Sequence, residues 1–156
     1  MSINFSQTCF QTSAVTLEDC PAGSAAEVAF AGRSNAGKSS AINSITGVPR
    51  LARISKTPGR TQLINFFLIE ENKYLIDLPG YGYAKVPLET KDKWQFELER
   101  YLRRREALVG LILLSDIRHP LKKFDQMMIE WSKQSDLPLH LLLTKADKLK
   151  RGAAQN

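Results

Sequence analysis

The sequence predicts an α/β protein of three layers, in which a mostly parallel sheet carries helices on both faces and one hairpin strand runs antiparallel. Two observations predict it. Short, continuous apolar runs alternate with amphipathic helical segments, the pattern of a sheet buried on both sides. Each cluster of glycine and charged residues also begins where one of those runs ends, which is where open sheets of this kind hold their ligands.

The first twenty-odd residues are polar and mixed and close in Pro21-Ala22-Gly23-Ser24, so residues 1–24 are expected to be an N-terminal extension of a domain spanning 25–156. Glu27–Ala31 is long enough for a buried strand. After a glycine-containing turn, Ile42 and Ile45 mark a helix over Lys38–Ile45. Leu63–Glu70 and Lys73–Leu78 are β-branched and aromatic runs separated by Glu71-Asn72, a hairpin. Leu88–Arg105 places Trp94, Leu98, Tyr101 and Leu102 at helical spacing on one face. Leu108–Leu114 is a buried strand. Leu121–Lys133, starting after Pro120, sets Leu121, Phe124, Met128 and Trp131 on one helical face. Leu137–Leu143 is a further buried strand.

Composition excludes several classes. At 156 residues, 43% hydrophobic and 24% charged, the chain is an ordinary globular one, neither fibrous nor disordered. Its apolar runs fall far short of the roughly 20 residues that cross a bilayer. No basic-then-apolar export signal opens the sequence, so Cys9 and Cys20 read as reduced thiols and the protein as cytoplasmic and monomeric, with no membrane partner. The net charge of +6 is uneven: from Val48 to Arg60 stand Arg50, Arg53, Lys56 and Arg60 and no acid. Arg103-Arg104-Arg105 reads as solvated surface. A phosphate ligand or RNA partner is the alternative explanation for the basic excess. His119 and His140 have no second ligand at metal spacing and read as structural.

Three clusters carry chemistry. Gly32-Arg33-Ser34-Asn35-Ala36-Gly37-Lys38-Ser39 is G-x-x-x-x-G-K-S. Its glycines let the backbone curl so that successive N–H groups face an anion, and the following helix adds its positive end. Lys38 then reaches the terminal phosphates, and the Ser39 hydroxyl is placed to ligate Mg2+. Asp77-Leu78-Pro79-Gly80 ends a strand 38 residues beyond Ser39. That placement suits a carboxylate holding magnesium through water, with the Gly80 N–H facing the γ-phosphate. Thr144-Lys145-Ala146-Asp147 ends another strand. A carboxylate there accepts two parallel hydrogen bonds from guanine, which adenine cannot offer, while Lys145 lays its stem along the base. The set therefore points to GTP and GDP rather than ATP.

These motifs, with GRSNAGKS, SKTPGRTQLIN at Ser55–Asn65, DLPGYGYA at Asp77–Ala84, DIRHPL at Asp116–Leu121 and TKADKL at Thr144–Leu149, resemble the EngB (YsxC/YihA) family of bacterial P-loop GTPases of ribosome assembly. The likeness runs from about Val28 to Leu149. It implies a Ras-like P-loop NTPase fold and a GTPase with Lys38 and Thr61 as its catalytic residues. Ser39 and Thr61 are implied as metal ligands, Thr61 closing the magnesium shell in the GTP state with Thr57 as its rival. Gly59, Arg60, Thr61, Gln62 and Leu63 would be the segment that closes over the γ-phosphate, and Tyr81–Pro87 the second switch. Many GTPases carry a water-orienting glutamine where this chain has Tyr81, so slow hydrolysis is expected; Gln62 or a partner is left to supply that group. The resemblance further implies binding to the large ribosomal subunit precursor, its rRNA and proteins, and a part in cell division and septation. A GTP-dependent protein-binding module without RNA contact is the alternative. The sequence stops nine residues after Asp147, so the family's last strand and closing helix are expected to be missing.

Overall fold

The computed structural model describes residues 2–53, 63–81 and 88–149. Strands β1 (Cys9–Ala14), β2 (Ala26–Gly32), β3 (Ile64–Glu70), β4 (Lys73–Asp77), β5 (Leu108–Asp116) and β6 (Leu139–Thr144) form one sheet in the order β1-β3-β4-β2-β5-β6. Helices α1 (Lys38–Thr46), α2 (Leu88–Arg104) and α3 (Lys123–Gln134) cover it. β3 pairs antiparallel with both β1 and β4, while β4, β2, β5 and β6 pair in parallel. Thus β3 alone runs against the other five, as the hairpin at Glu71-Asn72 requires; Asn72 takes φ 60° to turn the chain.

The period of two along each strand builds two cores. Ala29, Ala31, Phe66, Ile76, Leu111 and Leu113 face α2 and α3, where Trp94, Leu98, Tyr101 and Met128 bury against them. Phe30, Phe67, Leu75 and Leu114 face the other way, onto Ile42 of α1. Successive residues such as Phe66 and Phe67 enter opposite cores, which is why these strands read as unbroken apolar runs.

The structure departs from the sequence reading in five places. β1 lies in a stretch that shows no strand signal, because it is an edge strand with Phe10 exposed and little apolar alternation to display. Ile45 is exposed, and buried Ile42 and Thr46 anchor α1 instead. Leu121 does not begin α3: it takes φ 50°, and the helix starts at Lys123 after the Asp125 carboxylate accepts from the Lys122 N–H at 3.2 Å. β6 is only partly buried, with Leu143 half exposed, since it forms an edge of the sheet among the described residues. Finally, Arg105 is not solvated surface. Its guanidinium donates to the fully buried Glu27 carboxylate at 2.6 Å and to the Pro21 carbonyl at 2.7 Å, and the Tyr101 hydroxyl donates to Glu27 at 2.6 Å. That cluster ties the N-terminal segment to α2 at the end of the sheet away from Gly32.

Candidate functional site

The phosphate-loop candidate, residues 33–37, joins the end of β2 to the start of α1. Its curl needs a left-handed backbone at Asn35 (φ 64°) and Gly37 (φ 99°). Asparagine tolerates that region and glycine is unhindered there. Gly32 meets a different demand: a Cβ there would stand 2.8 Å from the Leu114 carbonyl oxygen, so only glycine lets the loop leave so close to β5. The loop is gripped from both sides. The Ser34 N–H donates to the Tyr81 carbonyl at 2.8 Å, and the Tyr81 N–H donates to the Gly32 carbonyl at 3.3 Å. The Thr144 hydroxyl donates to the Ala36 carbonyl at 2.7 Å. The Ala36 N–H donates to the Arg33 carbonyl at 3.0 Å, and the loop leads into the N-terminus of α1, the positive end of that helix.

Lys38, the first residue of α1, brings its ammonium 4.0 Å from Asp77 Oδ1 at the end of β4. Both side chains are nearly enclosed, 12% and 14% exposed. Burial lowers the Lys38 pKa and raises that of Asp77, and the charge of each partner opposes the shift of the other. Asp77 Oδ1 is buried with no hydrogen-bond partner. Leu78, Pro79 and Gly80 are buried beside it, and a Cβ on Gly80 would sit 3.2 Å from Ser34 Cα and 3.3 Å from Lys38 Nζ. The Ser39 hydroxyl donates to the Arg53 carbonyl at 3.0 Å. Among the described residues, Ser39 and Asp77 are the candidate side-chain oxygens for a cation.

At the end of β6, Thr144 abuts the loop and Lys145 turns left-handed with φ 62°. Lys145 Nζ lies 3.6 Å from the Asp116 carboxylate, and Arg118 donates to the same carboxylate from Nε at 3.0 Å and Nη2 at 2.8 Å. The Arg118 hydrogen bonds hold the Asp116 pKa well below the usual carboxylate range. Ala146–Lys148 form a short 3-10 turn that presents the Asp147 side chain to solvent, 74% exposed. A cleft of about 330 Å³ runs between the loop at Arg33–Ala36 and the ends of β5 and β6 at Asp116 and Lys145.

The three clusters separated in sequence therefore converge at one end of the sheet, the carboxyl ends of β2, β4 and β6. Gly32 through Ser39, Asp77 through Gly80 and Thr144 through Asp147 all lie there, and Leu63 enters β3 half-buried. Thr57, Gly59, Arg60, Thr61 and Gln62, and positions 82–87 of the second-switch segment, lie outside the described residues. Among the described residues no group of histidine, cysteine and carboxylate side chains is arranged to hold a metal by itself; His119 and His140 are both exposed. Sequence reasoning missed the Asp116–Arg118–Lys145 ion pairs and the burial of Tyr81 against Asp125. The DIRHPL block was the only available signal for the first. For the second, the acid three residues into a helix start was the clue.

Comparison with known proteins shows the family. The chain is 59% identical over 155 residues to the probable GTP-binding protein EngB of Aeromonas salmonicida (strain A449), covering 99% of this chain and 71% of that protein. The chain belongs to the EngB family. Residues 27–145 also match the family MMR_HSR1, described as 50S ribosome-binding GTPase. The crystal structure of a probable GTP-binding protein engB superposes with a TM-score of 0.65 at 27% identity, over 83% of this chain and 75% of that one. The cytosolic domain of the T. maritima FeoB iron transporter in apo form superposes at 0.50 with 25% identity, over 80% and 48%. The fold is thus that of the P-loop GTPases, the EngB family's own, and GTP is the nucleotide these enzymes bind and hydrolyse. No helix among the described residues is long and apolar enough to cross a membrane.

Proposed function

We propose that this EngB-family chain is a GTP-binding, slowly GTP-hydrolysing switch that acts in late assembly of the large ribosomal subunit and in normal cell division and septation. It works as a cytoplasmic monomer, with its GTPase domain over 25–156 and residues 1–24 as an N-terminal extension that adds edge strand β1 to the domain's sheet. The observation that carries the reading is the buried Lys38–Asp77 pair pressed against Gly80 and Ser34. An ammonium with one carboxylate at 4.0 Å and an orphan buried oxygen make an incomplete site that suits an anion and a cation together.

Residues 32–39 would wrap the phosphates, with Lys38 neutralising the terminal ones and Gly80 offering its N–H to the γ-phosphate. Magnesium fits the donors present, since the Ser39 hydroxyl as a ligand and the unpartnered Asp77 carboxylate oxygen, acting through water, are the hard oxygens it prefers. When bound it would neutralise charge on the β- and γ-oxygens. Thr61 is the further ligand proposed for the triphosphate state, with residues 59–63 closing over it. Thr144–Asp147 would hold the base, Asp147 reading the guanine edge and Lys145 lying along its face. Slow hydrolysis is supported by Tyr81, whose ring points into the core at 1% exposure and so cannot orient a water. Exposed Arg50 and Arg53 supply the described part of a basic surface for RNA. Binding of purified large-subunit precursors, measured with a non-hydrolysable triphosphate and with GDP across a salt series, tests the reading. Tighter, steeply salt-dependent binding in the triphosphate state supports it; salt-independent binding to a protein partner alone favours the protein-binding alternative.

A further inference from the structure

Tyr81 directly follows Gly80, and its ring turns away from the phosphate loop. It stacks on Phe124 with ring centres 4.8 Å apart and 24° between planes, and its hydroxyl donates to the Asp125 carboxylate. Asp125 is itself 1% exposed, and its other oxygen accepts from the Ser115 hydroxyl and the Lys122 N–H, each at 3.2 Å. The Ser115 hydroxyl accepts from the Leu121 N–H at 3.0 Å. The Ser115 carbonyl accepts from the Thr144 hydroxyl at 3.3 Å, and the same hydroxyl donates to Ala36 in the loop. One buried polar chain therefore connects Tyr81, the start of α3, the end of β6 and the phosphate loop.

Core packing does not require this chain. Phenylalanine at position 81 would stack on Phe124 equally well, and burying a phenol and a carboxylate carries a desolvation cost that their mutual match and the Ser115 and Lys122 donors offset. What the match adds is placement. With its ring stacked and its hydroxyl tied to α3, Tyr81 cannot rotate without breaking both restraints. Its backbone meanwhile holds Ser34 and Gly32 through the two hydrogen bonds at 2.8 and 3.3 Å. Gly80, one residue earlier, stays against Ser34 with little room for a Cβ.

We propose that Tyr81 and Asp125 are a positioning pair: they anchor the residue after Gly80 to helix α3, and so hold the Gly80 N–H and the phosphate loop in the arrangement that distinguishes a triphosphate from a diphosphate. This rests on Gly80 as the γ-phosphate contact. Asp125 also lines the cleft beside the loop; the pair acts through the backbone of Tyr81.

The test is Tyr81→Phe, which keeps the stack and both backbone bonds and removes only the hydroxyl. Titration with GDP and with a non-hydrolysable GTP analogue, in magnesium, is expected to show the triphosphate-to-diphosphate affinity ratio falling about five- to tenfold, with GDP affinity held within about twofold. Hydrogen exchange of the Ser34 and Tyr81 amides in the GDP-bound protein is expected to quicken. In a cycle with Asp125→Ala, the double variant should lose no more of the ratio than the worse single one. Should Asp125→Ala fail to fold, Tyr81→Phe alone decides. A lowered melting temperature with ratio and exchange both unchanged overturns the proposal, since that is the behaviour of a purely structural pair. Faster exchange with an unchanged ratio overturns the discrimination. A wild-type protein that binds neither nucleotide overturns instead the functional reading beneath it, so the two failures are told apart.

Discussion

Asp77→Asn in the nucleotide-free protein removes a charge and almost nothing else, and the structure sets the sign of the effect on stability. Two unit charges 4.0 Å apart attract by on the order of 4 kcal/mol at an effective dielectric of about 20. Against this stand desolvation costs of several kcal/mol for each ion. Burial is the larger influence on both groups, raising the Asp77 pKa and lowering that of Lys38, so the cost exceeds the attraction. Asparagine relieves the Asp77 share of that cost but leaves the buried Lys38 ammonium without its partner, so the gain in stability should be small, at most roughly 1 kcal/mol or roughly 2–4 °C in Tm for a domain of this size. The pH dependence has a definite sign. A carboxyl whose folded pKa is raised stabilises the fold below its usual range and loses that contribution as pH rises through the raised value. The advantage of Asp77→Asn should therefore be full near neutral pH and fade on acidification, as the wild-type carboxyl takes up its proton. Paired thermal melts from pH 7 to pH 4, without nucleotide, measure it, and GTP binding should lose magnesium dependence in the same variant. A clear destabilisation at pH 7 with magnesium-dependent binding intact would refute the reasoning and make Asp77 a structural carboxylate.

Asp147→Asn should weaken GTP binding and favour xanthine nucleotide, whose changed edge suits an amide; titration with both nucleotides checks it, and unchanged GTP preference removes Asp147 from base reading. Ser39→Ala should lose chiefly the magnesium response of GTP binding and hydrolysis, measured across a magnesium series. Thr61→Ala should leave GDP affinity nearly unchanged and abolish the preference of the triphosphate state for ribosomal particles, with hydrogen exchange over residues 48–62 as the control; equal protection in both states turns attention to Thr57. Burial pushes the Cys20 thiol up to about 11 while Cys9 is exposed. With thiolate at Cys20 near one part in about a thousand at pH 8, iodoacetamide should label Cys9 and spare Cys20, as peptide mass mapping will show.

Much of the sheet was legible because strands buried on both faces announce themselves as unbroken apolar runs, and β2, β3, β4 and β5 do so. β1 was not, since an edge strand with Phe10 facing solvent carries no such run. The start of α3 was misplaced because a periodic pattern cannot reveal that Leu121 takes a left-handed backbone. In the candidate site, the glycines and charges at strand ends were readable because each answers a local demand, such as the missing Cβ at Gly32 and the positive φ at Gly37. The Tyr81–Asp125–Ser115 chain was not readable. Its members lie 44 and 10 residues apart, and only the fold brings a phenol, a carboxylate and a hydroxyl into one buried line. Arg105 was misread for the same reason: its partner Glu27 lies 78 residues away.

The central claim is that Gly32–Ser39, Asp77–Gly80 and Thr144–Asp147 make one site for a magnesium–guanine nucleotide. Calorimetric titration of this chain with GTP and with ATP, in magnesium, beside Lys38→Ala, tests it most directly. The account predicts GTP bound at least about a hundredfold more tightly than ATP, a gap of about 2.7 kcal/mol, and no measurable binding of either once the Lys38 charge is gone. Equal affinity for the two nucleotides, or GTP binding that survives Lys38→Ala unchanged, would contradict it.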